Sequence, residues 1–250
     1  MSATPPIAAH RIAAIVLAAG KGSRMGSPLH KVLHPLKGRP MLAHLLDSLA
    51  QIAAEKVVLV VGAGREQIEE AFPALPKAVQ HEQLGTADAV RAAEGELAGF
   101  DGTVLILYGD VPLITPATMR ALCAAVSDDV ALAVLGFLPA DTRAYGRLVT
   151  ADDGSLLRIV EHSDASAAER AIGFCNSGVM AVLCNRLFPW LARVGCANAK
   201  GEYYLTDIVA LARADGYRVA TVEAGELEVT GVNSREELAA LEEKLAEAAA

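Results

Sequence analysis

Short apolar runs alternate with helical patterns along the first half of the chain. Each run is bounded by glycine or polar residues, which is typical of strands buried in a parallel sheet. The runs cover residues 12–17, 57–61 and 104–107. The helical patterns cover residues 40–52, 65–71 and 86–97, with Pro40 suited to a first helical turn and Thr86 to a helix cap. This strand–helix–strand order predicts right-handed crossovers and a doubly wound, mostly parallel sheet of the α/β class.

The second half of the chain has a more mixed pattern. Strands are predicted at 131–137, 147–150, 156–160, 179–183 and 217–222, with Asp152-Asp-Gly154 as the turn of a hairpin. Helices are predicted at 188–194, 204–215 and 234–250. Ser234 and Glu237 have the spacing of a capping box at the start of the last helix. These elements indicate a smaller mixed lobe beside the parallel sheet.

Composition and charge narrow the possible classes of protein. The chain has 250 residues, 53% hydrophobic and 4% aromatic, so its core of Ala, Val, Leu and Ile suits one parallel α/β domain. The net charge of −8 argues against a general nucleic-acid surface, so an anionic substrate needs local cations and a metal. The four cysteines show no C-x-x-C pairing, and no segment approaches the roughly 20 apolar residues of a membrane helix. We therefore expect a cytoplasmic protein with free thiols and neither a membrane nor a nucleic-acid partner.

The loop after the first strand carries the strongest chemical signal. Leu17-Ala-Ala-Gly20 leads into Lys21-Gly-Ser-Arg24, and Lys31 follows. Glycines let backbone N–H groups approach a ligand, and three cations supply charge of the right sign for a polyphosphate. The alternative is an ordinary strand-to-helix turn, which needs no cations. The clustered charge favours a triphosphate cradle at the carboxyl end of the first strand.

Asp110 and Asn233 are candidate metal ligands. Asp110 follows a buried strand in Tyr108-Gly-Asp110, and so lies at the edge where open α/β sheets bind ligands. A carboxylate beside a triphosphate would repel it unless a hard cation such as Mg²⁺ bridges the two. The amide oxygen of Asn233, in Gly231-Val-Asn233, is a candidate second ligand. The alternative role for Asp110 is that of a turn or helix-cap residue.

The segment Gln80-His-Glu-Gln83-Leu-Gly-Thr86 is a candidate base-binding loop. A primary amide both donates and accepts hydrogen bonds, and so matches the donor–acceptor edge of uracil. Gly85 would let a base lie against the backbone. The alternative is a polar loop that merely precedes a helix.

Polar and glycine interruptions at the ends of later apolar runs suit a sugar. They are Tyr145-Gly-Arg147, Glu161-His162, Asn176-Ser-Gly178 and Gly201-Glu-Tyr-Tyr-Leu-Thr206. Carboxylates and amides hydrogen-bond paired hydroxyl groups. Each motif taken singly fits a turn or a cap better, so the sugar hypothesis depends on the set.

The ordered set of motifs resembles the uridyltransferase domain of the bacterial bifunctional N-acetylglucosamine-1-phosphate uridyltransferase/glucosamine-1-phosphate acetyltransferase family. The similarity runs from about Ile12 to Glu242 and also includes Lys31-Val-Leu-His34 and Ile159-Val-Glu-His162. It implies a Rossmann-like nucleotidyltransferase fold of the glycosyltransferase-A type with a small mixed sugar-binding lobe. The chain departs from the family pattern at His30, where proline is usual, and at Phe174, where Glu is frequent.

The resemblance implies a role for each matched residue. Arg24, Lys31 and Asp110 would act in catalysis, and Asp110 and Asn233 would hold Mg²⁺. The nucleotide would contact Leu17, Ala18, Ala19, Gly20, Lys31, Gln80, Gln83, Gly85 and Thr86. The sugar would contact Tyr108, Gly109, Gly146, Glu161, Asn176, Tyr204 and Thr206.

The implied reaction transfers UMP from UTP to N-acetylglucosamine 1-phosphate. Its products are UDP-N-acetylglucosamine and pyrophosphate, which places it in the synthesis of peptidoglycan and lipopolysaccharide precursors. Two alternatives stay open. One is a transferase of the same fold with another nucleotide or sugar phosphate, such as UTP with glucose 1-phosphate or a CTP-dependent reaction. The other is a non-catalytic nucleotide-binding module.

The resemblance also implies a domain organisation. Residues 1–11 are expected to form a flexible extension, 12–115 a nucleotide-binding half and 116–233 a sugar-binding half of one domain over 12–233. Residues 234–250 would begin a linker to the acetyltransferase domain, so no acetyl transfer is expected from this chain. The family trimer depends largely on that second domain, which leaves the oligomeric state of this chain open.

Overall fold

The structure, a computed structural model, describes residues 11–142 and 144–248. The expected N-terminal extension lies outside these residues except for Arg11, and so do the last two positions of the expected C-terminal helix. The described residues form a nine-stranded sheet with helices packed on its faces, and a small two-stranded sheet beside it.

The strands of the structure follow the apolar runs closely. The large sheet contains β1 (Ile12–Leu17), β4 (Lys56–Val61), β5 (Lys77–Val79), β6 (Thr103–Tyr108), β7 (Leu132–Phe137), β8 (Arg147–Thr150), β9 (Leu156–Val160), β10 (Cys175–Leu183) and β11 (Val219–Glu223). The small sheet pairs β2 (Pro35–Leu36) with β3 (Arg39–Pro40). The order along the large sheet is β11-β7-β10-β6-β1-β4-β5, and the β8–β9 hairpin attaches to β10.

The large sheet is mostly parallel. Strand β1 pairs in parallel with β4 and β6, β4 with β5, and β7 with β11. Strand β10 alone of the seven central strands runs in the opposite direction, between β6 and β7. The doubly wound, mostly parallel sheet predicted from the strand–helix alternation is therefore confirmed.

Both faces of the sheet are buried, which accounts for the continuous apolar runs. Along β1, Ala13 and Ile15 belong to the core on one face, whereas Ala14 and Val16 belong to the core on the other. All four are fully buried. The period of two along a strand sends alternate side chains to opposite faces, so a strand covered by helices on both sides carries no polar face.

The helices cover the two faces of the sheet. They are α1 (Met41–Ala50), α2 (Arg65–Ala71), α3 (Thr86–Arg91), α4 (Pro116–Ala124), α5 (Ala167–Arg170), α6 (Cys184–Leu191), α7 (Asp207–Ala214) and α8 (Arg235–Glu247). Short 3₁₀ turns lie at Ser23–Met25, Lys31–Leu33 and Gly95–Leu97. Helix α4 was not predicted, although Thr115 and Pro116 give it a standard start, with the Thr115 hydroxyl accepting from Thr118 N.

Several helix boundaries differ from the prediction. Pro40 occupies the N-cap position of α1 and pairs in β3, instead of lying in the first helical turn. Gly85 is the N-cap of α3, and the Thr86 hydroxyl accepts a hydrogen bond from Leu205 N, so Thr86 does not cap its own helix. Helix α3 ends at Arg91, short of residue 97.

In the second half, α6 begins and ends earlier than predicted. Helix α7 begins at Asp207, after a loop at residues 201–204 and a turn at 205–206. Strand β10 begins at Cys175, four residues before the predicted start at 179, with an irregular register between Asn176 and Met180. Asn176, Ser177 and Gly178 interrupt the apolar pattern at the start of this strand. The sequence pattern alone therefore indicates a loop where the structure has a strand. The four cysteines are free, and Cys196 is exposed.

Helix α8 begins as predicted. The Ser234 hydroxyl accepts from Glu237 N at 3.2 Å. The Glu237 carboxylate accepts from Asn233 N at 2.6 Å, one residue before the position that a standard capping box would satisfy. The cap therefore also fixes the backbone of Asn233, one of the predicted metal ligands.

Candidate functional site

The candidate site is a cleft at the carboxyl ends of β1 and β6. Strands β1 and β6 are neighbours in register, with Leu17 opposite Tyr108, so the loops that follow them meet. The cleft encloses about 270 Å³. Its lining residues are Leu17, Ala18, Ala19, Gly20, Lys31, Val32, Gln80, Gln83, Gly85, Thr86, Ala89, Tyr108, Asp110 and Glu202. The structure thus brings every residue of the predicted nucleotide set into one cavity.

Lys31 lies between the two predicted metal ligands. Its Nζ donates to Asp110 Oδ2 and, at 3.2 Å, to Asn233 Oδ1. The Lys31 and Asp110 side chains are only 13% and 15% exposed. A backbone hydrogen bond of 2.9 Å from Val232 N to Asp110 O holds the two loops together. A carboxylate oxygen and an amide oxygen therefore face one cationic position beside the cleft.

These two oxygens fit a hard divalent cation. Mg²⁺ in proteins takes one or two carboxylates and completes its coordination with water and substrate phosphates. Among the described residues, no three His, Cys, Asp or Glu side chains form a metal-binding group. The donor set is thus of the sparse kind that suits a metal shared with a phosphate ligand, and unlike a closed structural site.

The glycine-rich loop positions Lys31. Gly22 has φ +61°, and a Cβ there would lie 2.6 Å from Lys31 Cβ, so the loop passes Lys31 only because Gly22 lacks a side chain. Gly20 has open space around it and lines the cleft. Arg24 is exposed on its 3₁₀ turn and does not line the cleft, so its phosphate contact stays a prediction.

The two glutamine amides are committed to protein contacts. Gln83 Nε2 donates to Ala19 O at 2.6 Å and so ties the base loop to the glycine-rich loop. Gln80 is buried, and its Nε2 donates to Asp88 Oδ2 at 2.9 Å and to Gly85 O at 3.1 Å. The nitrogen of each amide therefore shapes the loop, which leaves the oxygen of each for the predicted contact with a base.

A second cavity, of about 310 Å³, adjoins part of the predicted sugar set. Its lining residues are Ile159, Val160, Glu161, Asp164, Gly195, Ala197, Asn198, Tyr204, Thr206 and Asp207. The Thr206 hydroxyl donates to Glu161 Oε1 at 3.2 Å, and burial raises the pKa of Glu161. Burial also raises the pKa of the Tyr204 phenol, which donates to Asp164 Oδ2 at 3.4 Å.

Two further predicted sugar residues, Gly146 and Asn176, lie beside Glu161. A Cβ on Gly146 would be 3.5 Å from both Glu161 Oε1 and Asn176 Cβ, so these three positions are neighbours. Asn176 is buried, and its Oδ1 accepts from Gly178 N at 3.0 Å. The Tyr108 ring lies against Gly178, and burial raises the pKa of its hydroxyl.

Tyr108 also joins the nucleotide cleft to a third cavity. This cavity, of about 300 Å³, is lined by Tyr108, Asp110, Val111, Ala144, Tyr145, Ser177, Val229, Gly231, Asn233 and Glu237. Both predicted metal ligands therefore line it. Gly109 does not line these cavities, and a Cβ there would contact Val32 Cγ1 at 3.1 Å. Gly109 therefore packs closely against Val32, and its contact with the sugar stays a prediction.

The two departures from the family pattern both fit the fold around them. The Phe174 ring covers Gly136, where a Cβ would lie 2.4 Å from the ring, and it packs on the core, so an apolar side chain suits this position. His30 is 5% exposed, and its two ring nitrogens have no hydrogen-bond partner. Burial and the neighbouring Lys31 lower the pKa of His30, which therefore stays neutral near neutral pH.

Two residues near the site were missed in the sequence. Glu202 lines the nucleotide cleft, and Asp164 accepts hydrogen bonds from the loop that contains Glu202. The Gly201-Glu-Tyr-Tyr motif drew attention for its tyrosine and threonine only. The available signal for Glu202 was a carboxylate that follows Gly201 in a loop next to the predicted sugar residues.

Comparison with known proteins supports the resemblance seen in the motifs. The chain is 57% identical over 234 residues to the bifunctional protein GlmU of Rhodospirillum rubrum, covering 93% of this chain and 52% of that protein. It is 56% identical over 235 residues to GlmU of Novosphingobium aromaticivorans, with 92% and 52% covered. Identity to GlmU of Zymomonas mobilis is 49% over 241 residues, with 94% and 54% covered. The chain spans about half the length of the curated relatives it matches.

None of the helices in the described part of the chain has the length and apolar character needed to cross a bilayer.

Residues 14–207 match the MobA-like NTP transferase domain, and this segment contains both the glycine-rich loop and Asp110. On this match over most of its length, the chain belongs to the MobA-like NTP transferase domain family.

Proposed function

We propose that this chain transfers UMP from UTP to N-acetylglucosamine 1-phosphate, releasing pyrophosphate and forming UDP-N-acetylglucosamine. The observation that carries the proposal is the convergence of the Asp110 and Asn233 oxygens on Lys31 Nζ beside the nucleotide cleft. The neighbouring cavity with Glu161 and Thr206 supports an acceptor whose sugar ring is neutral and bears hydroxyl groups. Similarity to GlmU over more than nine-tenths of the chain supports the same choice.

The proposed reaction is a direct displacement at phosphorus. A phosphate oxygen of the sugar phosphate forms a new bond to the α-phosphorus of UTP, while the bond from the α-phosphorus to the bridging oxygen breaks. Pyrophosphate leaves with that electron pair. The acceptor is already an anionic nucleophile, so no covalent enzyme intermediate is needed, and the protein contributes positioning and charge neutralisation.

Each part of the site has a proposed task. Backbone N–H groups of Ala19 and Gly20 would bind phosphate oxygens, and Lys31 would neutralise charge on the reacting phosphates. Glu161 and Thr206 would orient the sugar through its hydroxyl groups. Asp110 and Asn233 would hold Mg²⁺, which when bound supplies positive charge against the phosphate oxygens.

Pyrophosphate release from a panel of substrates tests the proposal. The four nucleoside triphosphates are combined with N-acetylglucosamine 1-phosphate, glucose 1-phosphate and no acceptor, with and without Mg²⁺. We expect release to be highest with UTP and N-acetylglucosamine 1-phosphate and to require the metal. A folded protein that prefers another pair, or that binds UTP but releases no pyrophosphate, would contradict the assignment.

Asp110→Asn isolates the contribution of the carboxylate. The substitution keeps the size of the side chain and one oxygen, and removes the negative charge that would hold the cation. We expect turnover to fall by about a hundredfold or more, the scale seen when a preorganised electrostatic group is lost. The matched control is Asp153→Asn in the β8–β9 hairpin, where the carboxylate is exposed and remote from the cleft. Unchanged turnover in folded Asp110→Asn protein would remove Asp110 from the mechanism.

A further inference from the structure

One loop, the strap of residues 198–206, contacts both proposed substrate subsites. It lies between the β9 end of the sheet, which carries Glu161 and Asp164, and the start of α3, which carries Gly85 and Thr86. Asn198 stiffens the strap from within, because its Oδ1 accepts from Glu202 N at 3.2 Å and its Nδ2 donates to Glu202 O at 2.6 Å.

On the nucleotide side, the strap is joined by its main chain. Tyr203 N donates to Leu84 O at 2.8 Å, and Ala87 N donates to Tyr203 O at 2.9 Å. Leu205 N donates to the Thr86 hydroxyl at 3.0 Å. Two of these bonds hold Tyr203 between residues 84 and 87, directly over Gly85. The conformation of the base loop therefore depends on the position of the strap.

On the sugar side, the strap is joined by Asp164. The Asp164 Oδ1 accepts from Ala199 N at 2.9 Å, and Oδ2 accepts from the Tyr204 hydroxyl at 3.4 Å. The Ser163 hydroxyl donates to Oδ2 at 2.9 Å, and Asp164 N donates to Glu161 O at 3.0 Å. The backbone bond from Ala199 is the main reason why the pKa of Asp164 is lowered. Asp164 thus holds the strap through its carboxylate and the backbone of Glu161, the residue that would bind the sugar, through its own N–H.

We infer that Asp164 is a positioning residue that, through the strap, couples the acceptor subsite to the base subsite. Asp164 does not line the nucleotide cleft, yet its contacts continue through Ala199 and Tyr204 to Tyr203 and Leu84. Because the strap is hydrogen-bonded to residues of both subsites, a change that frees it weakens binding at both ends. The identity of the two substrates rests on the proposed function. The connection between the two subsites through Asp164 and the strap rests on the hydrogen bonds alone.

The test is Asp164→Ala, with Asp164→Asn as the conservative variant. The matched control is Asp153→Ala, because Asp153 is also an exposed carboxylate that accepts from a backbone N–H and a hydroxyl, at 2.9 and 2.7 Å. Binding of UTP with Mg²⁺ is measured by calorimetry without acceptor, and the KM for N-acetylglucosamine 1-phosphate is measured by pyrophosphate release.

We expect Asp164→Ala to raise both the UTP Kd and the acceptor KM by about threefold to tenfold, within the range of such coupling. Asp164→Asn keeps an acceptor for Ala199 N and should lie between it and the wild type. Asp153→Ala should leave both constants unchanged. An effect on the acceptor KM alone, or on neither constant, would overturn the coupling, because a local contact or a purely structural role leaves the nucleotide affinity of the folded protein intact.

Hydrogen exchange gives a readout that does not depend on the substrates. In Asp164→Ala, the amide hydrogens of Tyr203, Leu205 and Ala87 should exchange faster than in the wild type, because the strap is no longer held by Asp164. In Asp153→Ala their exchange should be unchanged. If the protection of these amides is unchanged in Asp164→Ala, the inferred coupling through the strap is wrong, whatever substrates the protein binds. If the wild type fails to turn over UTP while exchange responds as expected, the proposed function fails and the coupling path stands.

Discussion

Gly85→Ala should destabilise the folded protein far more than a glycine replacement usually does. Gly85 has φ +130° and ψ 178°, a region that only glycine occupies at low cost. An added Cβ would lie 2.4 Å from Tyr203 O and 2.7 Å from Tyr203 N. Those same two atoms form the hydrogen bonds to Ala87 and Leu84, so the backbone cannot move aside without losing them.

The magnitude follows from these two costs. The backbone conformation costs about 1–3 kcal/mol for a residue with a side chain. Loss of two backbone hydrogen bonds adds about 1 kcal/mol each. The sum is about 3–5 kcal/mol, which corresponds to a fall in Tm of about 6–20 °C for a chain of this size.

The loss of free energy of unfolding in Gly85→Ala is measured by urea unfolding, followed by circular dichroism, and by calorimetry. Two other glycine-to-alanine variants serve as controls. Gly154→Ala introduces a Cβ at φ +80° into open space, so it should cost about 1–2 kcal/mol, the backbone part only. Gly20→Ala also has open space and needs no positive φ, so it should be close to neutral in stability. If Gly85→Ala loses no more free energy of unfolding than Gly154→Ala, the contact with Tyr203 is not a constraint and the reasoning fails.

Three further predictions concern single side chains. The lowered pKa of His30 means that the unfolded chain binds a proton more readily than the folded chain. The free energy of unfolding should therefore fall as the pH drops below about 6.5 and through the lowered pKa, and urea melts of His30→Gln should show a flatter pH dependence. Lys31→Ala should reduce kcat more than it raises the UTP Kd, since its charge is needed most as pyrophosphate departs; the reverse split in rapid-quench and binding data would contradict this. Because the pKa of Glu161 is raised, its carboxylate becomes protonated at a higher pH than an ordinary glutamate does. The acceptor KM should therefore rise as the pH falls through that pKa, and a Glu161→Gln variant with the same pH dependence would refute the assignment.

The parallel half of the fold was predictable because its strands are buried on both faces. The predicted bounds of β1 agree with the structure, since an apolar run of six residues that begins after Arg11 and ends in small residues and glycine is typical of a fully buried strand. The predicted bounds of helix α2 agree as well. The start of β10 was not predictable in this way, because Asn176, Ser177 and Gly178 interrupt its apolar run at the irregular register.

The site was predictable where side chains carry the chemistry, and not where the main chain does. Asp110 follows a buried strand, so its place at the sheet edge could be predicted from pattern alone. Asn233 could be suggested as a partner of Asp110 from its amide oxygen alone. The family resemblance then supported that pairing, since no local pattern relates the two loops. The contact of Tyr203 with Gly85 was missed, because hydrogen bonds between backbones leave almost no trace in residue type.

The reversed central strand has a consequence for how the protein emerges from the ribosome. Strand β7 is complete at residue 137, but both of its neighbours, β10 and β11, are translated later. Until residues 175–183 leave the exit tunnel, β6 presents one bare edge and β7 has no partner at all. Bare edges invite pairing with other chains, and distant pairings are slow to form. Nascent chains halted between these strands should therefore be held by chaperones and become protease-resistant only when β10 closes the gap.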